Sequence, residues 1–119
     1  MSQQVVTPQM IEVRLKQLSK EVDESYTELA NAEREYFEVK AKYELGLAHA
    51  RLSLIGQAQQ KLTVSDKADT ALVSVKDLHL KMGAAEAMVR AARANAQRIR
   101  TQVDIARSIG TSVRTSMEL

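Results

Sequence analysis

At 119 residues, 45% apolar, 3% aromatic and with a net charge of +2, the chain has the size of one domain. The absence of cysteine excludes a disulfide scaffold and thiolate metal sites and fits a reducing cytoplasm. No run of about 18 apolar residues offers a membrane span, and MSQQVVTPQM lacks the charged-then-apolar pattern of a signal peptide. The expectation is a soluble, cytoplasmic protein.

Residues 1–7 read as a disordered or extended lead-in to a single domain over 8–119. Thr7-Pro8 opens the first helix: threonine caps, and proline at the first helical position gives up an amide that has no partner there anyway. From Pro8 to Ile55 there is no further proline and only Gly46 among glycines. A stripe alternating four and three runs Ile11, Leu15, Leu18, Val22, Ser25, Leu29, Ala32, Tyr36, Val39, Tyr43, Gly46, Ala50. That spacing predicts one helix over about 8–55, roughly 70 Å long at 1.5 Å per residue. Gly56 and the polar QAQQK that follows mark a loop over about 56–64. Thr63 and Asp66 form a T-x-x-D capping box, with Ser65 as another candidate cap, so a second helix is expected over about 65–117. Gly83 inside it is a candidate kink or close approach.

The second helix carries Ala71, Val75, Leu78, Met82, Ala85, Val89, Ala92, Ala96, Ile99, Val103, Ala106, Gly110, Val113 and Met117 on the same 3.5-residue period. In a chain 45% apolar, a random stripe of that length would be about half polar. Nothing reads as a strand. The expected fold is all-α: a long antiparallel two-helix hairpin with coiled-coil-like packing. Residues 37–55 are apolar on nearly every side, and Leu80, Ala84, Ala87, Ala91 and Ala94 form a further stripe. Helices apolar on several faces pack among several neighbours, so a homo-oligomer is expected. Tyr43, Leu47, Leu52, Val89, Ala96, Ile99 and Val103 are assigned to hairpin and oligomer packing.

Charge is unevenly placed. From Glu12 to Glu44 nine acids stand against six bases; from Ala87 to Met117 six arginines stand against Asp104 alone. Arg93, Arg100, Arg107 and Arg114 recur every seven residues. With a turn near residue 60, position i lies opposite about 120 minus i. Arg93 then faces Glu28 and Arg100 faces Glu21, the inter-helix salt bridges that fix register in coiled coils. Arg90, Arg98, Arg107 and Arg114 have no such match and are open to phosphate or to a partner. A second basic group, Lys40, Lys42, His49, Arg51 and Lys61, surrounds the bend; it is either a solubilising rim or a phosphate contact repeated around an oligomer. His49 and His79 are too far apart in sequence to argue a metal cluster. No G-x-S-x-G, GKS/GKT or HExxH pattern is present, so no enzyme activity, cofactor or metal is expected. With so few aromatics, any nucleic-acid binding is expected to be non-specific, salt-sensitive and through the backbone.

KYELGLAHARLSLIG (42–56) and AARANAQRIRTQVDIARSIGTSVRTSMEL (91–119) resemble small all-helical phage proteins of the UvsY-type recombination-mediator family. The shared pattern is a long helix ending in A-x-R-L before a glycine-containing loop. A second long helix then carries an R-x-x-x-D-x-x-R-S-like run, here Arg100, Asp104, Arg107 and Ser108. The resemblance, over roughly 35–115, implies a ring-like homo-oligomer that binds single-stranded DNA, remodels the single-strand binding protein and helps load a recombinase. It also implies DNA contact by a basic pair before the loop, which falls on His49 and Arg51; histidine stands where the family has lysine. The candidate DNA-binding residues are therefore Arg51, His49, Lys42, Lys61, Arg107 and Arg114. The competing reading is a structural or adaptor hairpin that binds protein, such as a phage assembly or anti-defence factor. A secreted hairpin dimer of the WxG type is disfavoured, because tryptophan is absent.

Overall fold

The computed structural model describes residues 5–56 and 63–118, which form helices α1 (Pro8–Gly56), α2 (Val64–Ser74) and α3 (Lys76–Glu118); no strand occurs among the described residues. Residues 1–4, most of the expected loop (57–62, with Lys61 in it) and residue 119 lie outside them. Val5–Thr7 are non-helical. The helix starts follow the sequence. The Met10 amide donates to Thr7 Oγ1 at 3.2 Å and the Ile11 amide to the Thr7 carbonyl at 3.3 Å. At α2 the Asp66 amide donates to Thr63 Oγ1 at 3.1 Å. Each threonine thereby satisfies an amide that the first helical turn leaves without a partner.

The single second helix expected over 65–117 is instead two helices that meet at Val75, not at Gly83. Val75 has φ −112 and ψ 19, outside the helical range. Its amide reaches the Leu72 carbonyl at 3.2 Å, three residues back, and the Val75 carbonyl then accepts from the His79 amide at 2.9 Å to start α3. Two local causes meet there. Val73 and Val75 are β-branched and stiff against the preceding turn. Ser74 Oγ donates to the Ala71 carbonyl at 2.7 Å, a back-bond that bends helices. Gly83 runs inside continuous α3, and a methyl built on it would meet nothing within 4 Å. It is neither a kink nor a close approach.

The chain divides into two compact units: Met1–Ala30 with Ala91–Leu119, and Asn31–Arg90. In the first unit Leu18 is 1% exposed, and Ala92 and Ile99 on the expected stripe of α3 are buried with it. Ile11 Cγ2 would lie 3.2 Å from a methyl added to Gly110. Ser25, the one buried polar residue on the α1 stripe, donates to the Val22 carbonyl at 2.8 Å, so it costs no lost hydrogen bond. In the second unit Ala71, Val75, Ala85 and Val89 are buried. A methyl on Gly46 would come within 3.2 Å of Val75 Cγ1 and 3.3 Å of Leu78 Cδ1, so glycine permits the close approach of α1 to the α2–α3 junction. The Tyr43 and His79 rings lie 5.4 Å apart between centroids. All twelve α1 stripe positions are buried or half-buried, as are all of the second stripe except Met117. Of the residues assigned to packing, Tyr43, Leu47, Val89, Ala96, Ile99 and Val103 are at least half-buried; Leu52 is 65% exposed and takes no part in the chain's own core.

Candidate nucleic-acid interface

The arginines of α3 separate by what lies within reach. Arg90 Nη2 pairs with Glu86 at 2.7 Å, an i, i+4 contact along the second unit. Arg98 Nη2 donates to Asn95 Oδ1 at 2.8 Å. Arg100 Nη2 donates to Tyr26 Oη, with its guanidinium 5.8 Å from the Tyr26 ring centroid, close enough for cation–π attraction. Glu21, the expected partner of Arg100, is held instead by Arg14, Nη1 to Oε2 at 3.9 Å; Arg14 also donates to Gln102 at 3.1 Å. That expected ion pair is therefore replaced by Arg100–Tyr26 and Arg14–Glu21. Arg93 and Glu28 are both exposed, and Arg93 has an interaction of its own.

Arg107 and Arg114 remain. Both are exposed, and among the described residues neither has an ion-pair partner. They stand seven residues apart on one flank of the first unit, an advance of about 10.5 Å along a helix. Arg107 and Arg114 line a hollow with Ile11, Leu15 and Gly110. Arg107 also borders a second hollow with Leu15, Tyr26, Arg100 and Val103. The flank presents Arg100, Arg107 and Arg114, with Glu12 beside the first hollow and Asp23 and Asp104 beside the second. Sequence reasoning found the arginines but missed Tyr26, whose hydroxyl and ring hold Arg100 in place; its off-stripe position beside the seam was the available signal.

Lys42, His49 and Arg51 are exposed on α1 in the second unit. α1 remains helical through them, and residues two apart on a helix point about 200° apart. His49 and Arg51 therefore do not form a single basic face. Lys42 and His49, seven apart, share one edge, while Arg51 shares the other with Glu44. Among the described residues no group of three or more histidines, acids or cysteines is placed to hold a metal, and no helix is long and apolar enough to cross a membrane.

The geometry defines an all-helical protein with coiled-coil spacing. No family model, curated protein or solved structure matches the chain.

Proposed function

We propose that the chain is an antiparallel helical hairpin that self-associates and binds single-stranded DNA through its phosphates. It would serve as a non-catalytic accessory of recombination or replication that helps a recombinase load in place of single-strand binding protein. The observation that carries the DNA reading is the pair Arg107 and Arg114: exposed, one heptad apart, and the only α3 arginines from 90 onward whose guanidinium groups have no hydrogen-bond or ion-pair partner among the described residues. Guanidinium groups in that state exchange counterions for phosphate at little cost, and each such contact steepens the salt dependence. Lys42 adds a second cationic point on the other unit, with His49 one heptad along the same edge. Repetition of these few contacts around an oligomer multiplies a weak affinity. Exposed aromatics are confined to Tyr26 and Phe37, so binding tolerates any base sequence.

The test is fluorescence anisotropy with a labelled single-stranded oligonucleotide at several salt concentrations. Affinity is expected to fall with salt. In the double variant Arg107→Ala/Arg114→Ala the log–log salt slope should shrink by about 0.7 for each phosphate that is no longer neutralised. No binding at low salt, or binding indifferent to salt, removes the DNA reading. It would leave the adaptor reading, which the exposed Phe37, Leu45, Leu52, Ile55 and Leu80 favour on their own account.

A further inference from the structure

The outward side of α1 in the second unit carries a heptad stripe of its own. Ala41, Leu45, Ala48, Leu52 and Ile55 are spaced four, three, four and three. At 100° per residue they lie on the side of the helix opposite Tyr36, Val39, Tyr43, Gly46 and Ala50, which face the chain's own core. Leu45 is 72% exposed, Leu52 65% and Ile55 67%; Ala41 and Ala48 are exposed too. A 3.5-residue apolar repeat is the pattern that keeps a helix against a partner helix, and on this side none of the described residues supplies one.

We infer that this stripe is the seat of a second copy of the same chain, packed antiparallel about a two-fold axis near residues 46 and 47 of α1. Two features select that occupant. The first is size. The stripe alternates leucine and alanine, and a copy running the opposite way sets Leu45 against Ala48 of the second copy and Leu52 against Ala41. The two central layers then each join a leucine to an alanine, and each occurs twice, as a two-fold interface requires; at the ends of the stripe Ile55 meets the aliphatic stem of Glu38 of the second copy. A parallel copy would stack leucine on leucine and alanine on alanine instead.

The second feature is charge. Glu44 and Arg51 precede the two leucines on one edge of the stripe, seven residues apart, and both are exposed. Among the described residues neither has an ion-pair partner within the chain. In the antiparallel register that pairs Leu45 with Ala48, Glu44 falls opposite Arg51 of the second copy and Arg51 opposite Glu44. Same-edge pairs of this kind form only between antiparallel helices, and here they join opposite charges. The opposite edge sets Lys42 against His49 of the second copy and supplies no ion pair, so the charge selection rests on Glu44 and Arg51. Arg51 thereby becomes an interface residue rather than a phosphate contact.

This inference deepens the self-association in the proposed function and rests on that part of it. The test uses the full chain and sedimentation equilibrium. Glu44→Arg sets two like-charge pairs across the axis, as does Arg51→Glu, and each should weaken self-association on the order of tenfold. The exchange variant Glu44→Arg/Arg51→Glu should recover wild-type association to within about twofold. An equimolar mixture of the two single variants should associate more tightly than either alone, because unlike chains then place opposite charges at both contacts. A self-associating wild type with no recovery in the exchange variant or the mixture overturns this interface and leaves the oligomeric reading standing. A wild type that is monomeric throughout the micromolar range overturns both. DNA anisotropy on the same samples reports independently on the phosphate-binding reading.

Discussion

Gly83 and Gly46 both sit inside long helices, and the structure gives them opposite answers to the same substitution. In a helix interior alanine is favoured over glycine by about 1 kcal/mol, mostly because the unfolded glycine backbone has more freedom to lose. At Gly83 the new methyl meets nothing within 4 Å, so the whole gain is kept. Gly83→Ala should stabilise the protein by roughly 0.5–1 kcal/mol, which for a domain of this size raises Tm by about 2–4 °C. At Gly46 the methyl lies 3.2 Å from Val75 Cγ1 and 3.3 Å from Leu78 Cδ1. Val75 is buried, β-branched and sits in the non-helical junction between α2 and α3, so it has little room to turn. Overpacking of that kind costs about 1–3 kcal/mol, against the same propensity gain of about 1. Gly46→Ala should therefore be neutral to about 2 kcal/mol destabilising. The assay is thermal unfolding followed by circular dichroism at one fixed protein concentration, because self-association makes Tm concentration-dependent. A Gly83→Ala variant that melts below wild type would refute the reasoning, as would two variants shifted equally.

Two further substitutions probe the core and the caps. Leu18→Ala empties a site only 1% exposed in the first unit and should cost about 2–5 kcal/mol in urea unfolding; a loss under about 1 kcal/mol would mean the site collapses freely. Thr63→Ala removes the hydroxyl that accepts from the Asp66 amide at 3.1 Å, with an expected loss of about 1 kcal/mol and faster amide exchange confined to the first turns of α2.

Much of the fold was legible because a heptad stripe is a statement about area. Leu18, Val22 and Ser25, or Val89, Ala92 and Ile99, fall on one side of a helix whatever their rotamers do, and burying that side outweighs any single polar exception. Ser25 shows how the exception is absorbed, by a hydrogen bond within its own helix. The junction at Val75 was not legible. It depends on one hydroxyl rotamer of Ser74 and one amide choosing a carbonyl three residues back, differences of about a kilocalorie that no periodicity records.

The expected Arg100–Glu21 pair failed for a geometric reason. Pairing i with about 120 minus i puts Arg100 level with Glu21. In the first unit, the further along α1 a residue lies, the earlier in α3 is the residue it meets, from Ile11 with Gly110 to Tyr26 with Arg100. Long side chains reach past the level position in either direction, so Arg100 meets Tyr26 rather than Glu21, and Arg14 meets Gln102. The candidate DNA residues were narrowed in the same way. Arg90 and Arg98 are taken up by neighbours one turn away, which left Arg107 and Arg114.

The junction at Val75 has a bearing on how the chain opens. α2 is 11 residues long, shorter than isolated helices that persist in water, and its end is closed by its own hydrogen bond to Leu72. Residues 63–74 are thus tied to the rest through little more than the packing of Ala71 and Val75. Severing that packing releases three turns without unwinding the first turn of α3, whose own ladder begins afresh at the Val75 carbonyl. That short helix is therefore expected to open ahead of the long ones, losing amide-exchange protection over 64–74 while α1 and α3 keep theirs.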